Sequence, residues 1–515
     1  MKKAALFLCL AIGMTVPVRA AQPQIALVPL DDRPVTRQLP QMLAAIAGVH
    51  VLVPPRAALG HFLKAGDPSA IGRWLTSDAV NGVNAFVLST DMLAYGGLTA
   101  SRVPDTAQRL AISRLRIISR VRDLHPEAWI GVFGTIMRLA PTGVPALGQG
   151  KNFFAPYPLW AYLQQYANLH DPPLPEEQAS AEHLRQLIGP EVLGAYLQTR
   201  ERNRIVDQYA LTLASRGDID RIVLGQDDAG PAGLHIKDVA ALRSDVERLR
   251  ISDRTSVEPG ADELAMALVA QALARRIGWV PRIAVRYSTP NGAAYNDPLE
   301  FVPIGQTIDS LIAICGGVRD ELSPDLTLYV RVPQSDAAED RALLASLGSD
   351  LRHQRPVALA DLTFLENTYA HQAAFAQALI AARIAGALEA YASWNTTANT
   401  VGTALAESVA AGVGRRSNAY DPIAHAQFSL NRFIDDYAYH AYVRPEVNAD
   451  LDARNVDHSY LLPQDVMATD HRNRALLWRR ALELLREIYP QYQDAGLTIT
   501  MPWDRTFETE IDVRL

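Results

Sequence analysis

The feature that most constrains this fold is a repeated order of short apolar runs and amphipathic stretches. Runs rich in valine and isoleucine recur between Ile25 and Ala392, and a polar cluster follows each run. Nearly continuous apolar character is typical of strands that are buried on both faces of a sheet. Between several runs, apolar residues recur at three- and four-residue spacing, which indicates helices packed on a core. This alternation predicts the α/β class with parallel sheets.

The pattern gives bounds for each element. The predicted strands are Ile25–Leu30, His50–Pro54, Ala85–Ser89, Trp129–Gly134, Arg221–Gly225, Arg282–Tyr287, Thr327–Val332, Val357–Asp361 and Leu388–Ala392. The predicted helices are Gln38–Ala47, Ala107–Leu124, Arg200–Ser215, Ala261–Ile277 and Ala370–Leu388.

Two architectures can accommodate these units. We expect two Rossmann-like α/β domains, at residues 21–278 and 279–414, and then a mainly helical region at residues 415–515 that closes with a strand pair. A (β/α)8-like barrel is the alternative. A Pro- and aromatic-rich passage predicts an insertion near residues 138–200 of the first domain. This insertion, and a strand count above eight, favour two sheets.

The first residues have the order of a secretory signal peptide. Lys2 and Lys3 precede an apolar run from Ala4 to Val16, and small residues follow near Ala20. The run is shorter than the roughly 20 residues that a membrane-spanning helix needs. We therefore predict a cleaved signal peptide at residues 1–20, periplasmic or secreted location, and no stable membrane insertion after cleavage. An uncleaved anchor is the alternative.

Composition excludes several classes of protein. The 515 residues include 49 Lys and Arg against 56 Asp and Glu, and the formal net charge of −7 argues against a nucleic-acid binder. One of the 2 cysteines, Cys9, lies in the predicted signal peptide, so no intrachain disulfide is expected after cleavage. No H-E-x-x-H, H-x-H or C-x-x-C pattern occurs to hold zinc. We predict no metal site and no cofactor, with a divalent cation bound by the aspartates as the alternative. The sequence does not predict the oligomeric state.

Charged residues follow the first and third predicted strands. Asp31, Asp32 and Arg33 come directly after the first strand, and Pro34 disfavours a helical conformation at Arg33. The third strand runs into Asp91, followed by Tyr95, Gly96-Gly97 and Arg102. Loops at the carboxyl ends of parallel strands converge on one crevice. We predict that these charged residues and Tyr95 bind substrate, although a helix cap would explain one carboxylate of each group.

A second pair of aspartates, Asp227 and Asp228, ends a later strand in a Gly- and Pro-rich loop. Neighbouring residues of an extended chain point to opposite sides, so one carboxylate can face the crevice. An Asx turn is the structural alternative. Asp262 and Glu263 then open a long helix, where the helix dipole stabilises an acidic residue by roughly 0.3–1 kcal/mol. We predict catalytic roles for Asp227, Asp228 and Glu263.

Polar groups also follow the last predicted strands. Asp361 ends one strand, and Trp394, Asn395 and Asn399 follow the next. The two asparagines are four residues apart and would share one face of a helix. An aromatic ring beside amide and hydroxyl groups suits sugar hydroxyls, which need both donors and acceptors. We predict that these four residues bind substrate; a helix cap would explain Asn395 equally well.

Together these motifs resemble the uncharacterised bacterial family catalogued as domain of unknown function 4127. The resemblance covers nearly all of the chain after the predicted signal peptide, and Ser393 stands where we would expect glycine. It implies no activity, so a function must come from the residues themselves. The motifs are PLDDRP (Pro29–Pro34), STDMLAYGGLTASR (Ser89–Arg102), LGQDDAGP (Leu224–Pro231), PGADE (Pro259–Glu263) and YASWNTTANTVGTA (Tyr391–Ala404).

Carboxylates at several strand ends provide the pair of acids that glycosidic cleavage needs. We therefore expect an exported glycoside hydrolase for a cell-envelope or imported saccharide, in which Asp227 or Asp228 works with Glu263. One alternative is a metal-assisted hydrolase of amides or phosphate esters, with the aspartates on Mg²⁺, Mn²⁺ or Ca²⁺. Another is a periplasmic solute-binding protein. A serine nucleophile is disfavoured because no G-x-S-x-G elbow occurs.

Overall fold

The computed structural model describes residues 24–142, 157–366, 369–492 and 495–515. The predicted signal peptide and part of the predicted insertion lie outside the described residues. Within the described chain, the strands form two open parallel sheets and one antiparallel pair. The α/β prediction with two Rossmann-like domains is therefore confirmed. The barrel alternative is wrong, because neither parallel sheet closes on itself.

The first domain is built on six parallel strands in the order β2-β1-β3-β4-β5-β6. Every residue of β3 is buried, as its continuous apolar sequence predicts. The pattern missed β6 because this strand lies at the sheet edge, where partly exposed Ser256 and Glu258 interrupt the apolar run. The strands are β1 (Gln24–Val28), β2 (His50–Leu52), β3 (Ala85–Ser89), β4 (Trp129–Ile136), β5 (Arg221–Gln226) and β6 (Thr255–Pro259).

The second domain repeats this topology with five parallel strands. They are β7 (Arg282–Tyr287), β8 (Val318–Arg319), β9 (Leu326–Arg331), β10 (Val357–Asp361) and β11 (Ala390–Ala392). Their order, β8-β7-β9-β10-β11, places the second strand first, as in the first sheet. This is the flavodoxin-like doubly wound order, in which ligands bind beyond the carboxyl ends of the strands.

Helices cover both sheets and form most of the C-terminal region. The predicted helix Ala107–Leu124 is divided in two at Arg116, and the one predicted at Ala370–Leu388 ends earlier. The helices are α1 (Pro34–Ile46), α2 (Pro68–Leu75), α3 (Thr90–Tyr95), α4 (Leu98–Ser101), α5 (Gln108–Leu115), α6 (Ile117–Leu124), α7 (Tyr157–Ala167), α8 (Gln178–Ile188), α9 (Pro190–Ser215), α10 (His235–Leu249), α11 (Leu264–Arg276), α12 (Ile304–Ile314), α13 (Ala337–Arg352), α14 (Tyr369–Ala381), α15 (Thr397–Arg416), α16 (Pro422–Arg432), a π-helix (Phe433–Val443), α17 (Arg444–Ala453) and α18 (Pro463–Ile488).

Helices α11 and α15 join the two domains. Every residue of α11 from Leu264 to Ala270 is buried, and so is every residue of α15 from Thr397 to Gly414. A helix that is buried all round must have partners on every side. Here α11 packs against α15, and one hydrophobic core runs from β1 and α1 through both helices to β7 and β9. The two domains therefore share a core instead of meeting at a hinge.

The C-terminal region returns to the first domain. Its closing strands, β12 (Gly496–Thr500) and β13 (Glu510–Arg514), pair antiparallel. The carbonyl of Ile511 accepts hydrogen bonds from Gln38 in α1 (2.9 Å) and Asn431 in α16 (2.8 Å). The hydrogen bond from Trp503 Nε1 to Asp32 Oδ1, at 2.7 Å, places the loop between β12 and β13 beside the carboxyl end of β1. No helix in the described ranges is long and apolar enough to cross a bilayer.

Replacing Leu268 with alanine tests the shared core. Leu268 is fully buried in α11, and truncating such a residue costs about 2–5 kcal/mol. We expect one urea-unfolding transition, shifted as a whole to lower urea, by both tryptophan fluorescence and circular dichroism. Leu322→Ala is the matched control, because that leucine is 97% exposed and its loss should change the free energy of unfolding little. Two transitions, of which Leu268→Ala moves only one, would contradict a shared core.

Candidate functional site

A cavity of about 260 Å³ lies between the carboxyl ends of the two sheets. Loops after β1, β4, β5 and β6 line it from the first domain, together with the segment around α4. Loops after β7 and β11 line it from the second domain, and the segment between β12 and β13 completes the wall. The lining residues are Arg33, Leu98, Thr99, Arg102, Arg138, Gln226, Asp227, Asp228, Gly260, Ala261, Asp262, Leu299, Glu300, Asn395, Thr396, Asn399, Trp503, Arg505 and Phe507.

Part of the predicted site is therefore brought together. The predicted residues on the cavity wall are Arg33, Arg102, Asp227, Asp228, Asn395 and Asn399. The predicted residues that do not line it are Asp31, Asp32, Asp91, Tyr95, Glu263, Asp361 and Trp394. Sequence reasoning missed several charged or aromatic lining residues, which are Arg138, Asp262, Glu300, Trp503, Arg505 and Phe507.

Arg33 is fixed by two carboxylates. Pro34 occupies the first position of α1, so Arg33 stays extended at the helix start. The Arg33 guanidinium donates to both Asp31 oxygens at 2.7–3.0 Å and to both Asp262 oxygens at 2.7 and 2.9 Å. Burial opposes its charge, but Asp262 and Asp31 raise the pKa of Arg33 well above its ordinary value. Asp31 thus orients Arg33, and Arg33 orients the Asp262 carboxylate on the cavity wall.

Asp32 fastens the C-terminal segment to the first domain. Its carboxylate accepts hydrogen bonds from Trp503 Nε1 at 2.7 Å, Arg56 Nε at 3.0 Å and His61 Nδ1 at 3.0 Å. Burial opposes ionisation, but the hydrogen bonds from His61, Trp503 and Arg56 bring the pKa of Asp32 below its ordinary value. The Asp32–Trp503 hydrogen bond holds Trp503 and Arg505 against the cavity.

The paired aspartates after β5 have different surroundings. Asp227 is buried and forms an ion pair with Arg102. The Asp228 side chain is 33% exposed, and its Oδ2 lies 3.8 Å from Arg138 Nη1, beyond hydrogen-bonding distance. Burial and then the charge of Asp227 raise the pKa of Asp228 to about 6, against the effect of Arg138. Asp228 also has a positive φ of 20°, and such strained residues cluster at functional sites.

The second domain contributes the wall that begins α15. The amides of Thr397 and Ala398 donate to Asp297 (2.7 Å) and Glu300 (2.6 Å), so acidic residues cap this helix. Before the helix begins, Asn395 has a φ of 51°, and its amide nitrogen donates to Asn399 Oδ1 at 2.7 Å. The two asparagines contact each other, but they do not share a helix face as predicted, because Asn395 precedes the helix.

Glu263 lies behind this wall and not on it. It is fully buried, and its Oε2 accepts from Asn399 Nδ2 at 2.7 Å and from the Ala261 amide at 3.2 Å. Its Oε1 has no hydrogen-bond partner among the described residues. Burial raises the pKa of Glu263 to about 8, so the protonated form is favoured at neutral pH. Glu263 therefore braces Asn399 between the two domains, where no substrate in the cavity would touch it.

Asp91 and Tyr95 support the first sheet instead of the cavity. Asp91 accepts from the amide and hydroxyl of Thr135 at 2.9 and 2.8 Å, and burial raises its pKa to about 6. The ring of Tyr95 is buried under the guanidinium of Arg202, 4.5 Å from the ring centroid. Neither side chain is positioned to bind a ligand in this cavity.

Asp361 and Trp394 belong to the second domain's core. Asp361 is fully buried and forms an ion pair with Arg331 at 3.2 Å. Trp394 is buried as well, and its Nε1 donates to Thr403 Oγ1 at 3.2 Å. Its ring is not available to stack on a sugar in the cavity.

A family model described as "Protein of unknown function (DUF4127)" matches residues 25–512. The chain belongs to the DUF4127 family. This span contains every residue that lines the cavity. No curated protein and no solved structure matches the chain.

In this DUF4127 protein the cavity is rich in arginine. Three of the four lining guanidinium groups are paired with carboxylates: Arg33 with Asp31 and Asp262, Arg102 with Asp227, and Arg505 with Glu508. The fourth guanidinium, of Arg138, has no carboxylate contact among the described residues closer than Asp228 Oδ2, which lies 3.8 Å from its Nη1. Burial and the charge of Asp297 raise the pKa of Glu300 well above its ordinary value. Within the described ranges, no group of three or more His, Cys, Asp or Glu residues is arranged to hold a metal ion.

Replacing Glu263 with glutamine should change how stability depends on pH. The pKa is raised from an ordinary 4.5 to about 8, so the native state binds the proton more tightly than the unfolded chain between these values. The free energy of unfolding of the wild type should therefore fall as the pH rises from about 4.5 to 8, by at most roughly 1.4 kcal/mol per pH unit from this group.

Glu263→Gln should lack this decline and should exceed the wild type in stability at pH 9, measured by urea unfolding across the pH range. Glu487→Gln, at an exposed position of α18, is the matched control and should follow the wild type. Parallel curves for Glu263→Gln and the wild type would show that Glu263 ionises normally.

Proposed function

We propose that this DUF4127 protein is a glycoside hydrolase in which Asp228 is the general acid and Asp262 is the second carboxylate. The observation that carries the proposal is the contrast between these two acids. Burial raises the pKa of both acids, to about 6 at Asp228, but the Arg33 guanidinium opposes the rise at Asp262. Arg33 also donates hydrogen bonds to both Asp262 oxygens, whereas no arginine among the described residues donates a hydrogen bond to Asp228. Acid–base cleavage of a glycoside requires one carboxyl group that can donate a proton and a second one that is held as a carboxylate.

The two carboxylates come from neighbouring strands, which supports their acting on one bond. Asp228 follows β5 and Asp262 follows β6, and both line the cavity. Asp227, which lies in the same loop as Asp228 and is ion-paired with Arg102, is the alternative second acid. Glu263 is replaced in this role by its neighbour Asp262, since Glu263 is fully buried behind the wall.

The remaining lining groups suit a saccharide. Thr99, Thr396 and Asn395 line the cavity, and their hydroxyl and amide groups combine donors with acceptors. A saccharide of the cell envelope, or one imported by the cell, would agree with the export that residues 1–20 predict. Export and the saccharide remain part of the proposal.

Two observations favour this proposal over its alternatives. A solute-binding protein closes by moving two domains about a hinge, whereas α11 and α15 here belong to one continuous core. A metal-assisted hydrolase needs carboxylates that are free to bind a cation, whereas Asp227 and Asp262 on this wall are already ion-paired with Arg102 and Arg33.

Replacing Asp228 with asparagine should remove the general acid. We expect kcat/KM on methylumbelliferyl glycosides to fall by roughly 10²–10⁴. Dinitrophenyl glycosides, whose leaving group needs no proton, should be hydrolysed at nearly the wild-type rate. Asp123→Asn, at an exposed position of α6, is the matched control and should leave both rates unchanged. Equal losses on both substrates would mean that Asp228 is not the acid, and wild-type rates on both would overturn the proposed function.

The pH dependence of kcat/KM should also reflect the protonation of Asp228. Because the acid must be protonated, kcat/KM of the wild type should fall above a pH of about 6. The charge of Arg138 lowers the pKa of Asp228, so Arg138→Gln should move this limb to higher pH. Arg73→Gln, an exposed arginine in α2, should leave the limb in place. If Arg138→Gln does not move this limb, the limb reflects a group other than Asp228.

A further inference from the structure

We infer that the saccharide bound in this cavity carries an anionic group, a carboxylate, sulfate or phosphate, which Arg138 and Arg102 bind. The sugar part of this inference rests on the proposed function. The anion part rests on the cavity alone, and it specifies what the proposed function leaves open, the chemical class of the substrate.

Arg138 has unused donors on the cavity wall. Its Nε donates to the carbonyl of Ala140 at 3.0 Å, which fixes the plane of the guanidinium. Its terminal nitrogens make no hydrogen bond to any residue that the structure describes, and the nearest carboxylate oxygen, on Asp228, is 3.8 Å away. A guanidinium with its plane fixed and its terminal donors free matches the two oxygens of a carboxylate, sulfate or phosphate group.

Arg102 provides a second, independent indication. Its side chain is only 8% exposed, and one terminal nitrogen is paired with Asp227. Its other terminal nitrogen, Nη1, makes no hydrogen bond to a described residue, and Arg102 lines the cavity. An arginine that is almost wholly buried beside a cavity and keeps a free terminal donor is suited to bind an anionic group of a ligand.

The charges of the two arginines point the same way. Burial and the like charge of Arg102 lower the pKa of Arg138 to about 10, which shows that the two guanidinium groups repel each other. Asp227 and Asp228 offset this repulsion only in part, and Asp228 is itself protonated in the proposed catalytic form. An anionic substituent between Arg102 and Arg138 would complete the compensation that Arg33 and Arg505 already receive from protein carboxylates.

The test measures binding, so it does not depend on turnover. Calorimetry at neutral pH measures the binding of four sugars: D-glucuronate, glucose 6-sulfate, glucose 6-phosphate and D-glucose. Each sugar is titrated into the wild type, Arg138→Gln, Arg138→Lys and Arg73→Gln. Inorganic sulfate and phosphate are titrated in parallel, and melting temperatures confirm that each variant folds.

We expect at least one charged sugar to bind the wild type at least tenfold more tightly than glucose and than the inorganic anions. Arg138→Gln should bind the charged sugar no more tightly than glucose. Arg138→Lys should keep part of the preference for the charged sugar, and Arg73→Gln should keep all of it. Glucose binding as tightly as the charged sugars would overturn the inference. So would a preference that survives Arg138→Gln, inorganic anions binding as tightly as the sugars, or no binding at all.

The outcomes separate this inference from the proposed function. A folded wild type that prefers a charged sugar through Arg138 but cleaves no glycoside would keep the anion site and refute the hydrolase. Equal kcat/KM on aryl glucosides and on their carboxylated, sulfated and phosphorylated counterparts, all lost in Asp228→Asn, would keep the hydrolase and refute the anion site.

Discussion

The packing of α11 against α15 is the constraint on which the rest of the structure depends. Both helices are rich in alanine, and α15 also contains glycine, so their backbones approach closely. At Gly402 a Cβ atom would lie only 2.5 Å from Glu263 Cγ. Because each helix belongs to a different sheet, their contact turns the carboxyl ends of both sheets toward one space. The cavity is the space that this packing leaves between the strand ends, and its shape is set by a core that cannot open as a hinge would.

The charges around the cavity are organised by pairs that reach across the chain. Asp31 and Asp262 hold Arg33, Asp227 holds Arg102, and the pairs come from loops after β1, β3, β5 and β6. Buried ion pairs of this kind are expensive to desolvate and are a poor way to gain stability. They do fix orientation, which a site for a polar ligand requires. The unpaired members, Asp228 and Arg138, are the ones with capacity left for chemistry or binding.

The sequence predicted the fold well because its decisive signals are local. A continuous apolar run identifies a buried strand, and polar residues after such a run identify the crevice; this rule found Arg33, Arg102, Asp227 and Asp228. The same rule, applied after β4, would have found Arg138. It could not separate Asp262 from Glu263, since neighbouring residues point in different directions and only the packing of α11 decides which one faces the cavity. Trp503 and Arg505 carry no local signal, because their place depends on a hydrogen bond to Asp32, at the far end of the sequence.

That hydrogen bond has a consequence for how the protein matures. Asp32 and Trp503 are separated by nearly the whole chain, yet both are needed to complete one wall. During synthesis β1 and β3 leave the ribosome long before Trp503 does. Until then Asp32 lacks its indole donor, and the cavity stays open on that side. The cavity wall can therefore be finished only after Trp503 has been synthesised, and a shorter nascent chain has no complete cavity with which to engage a ligand.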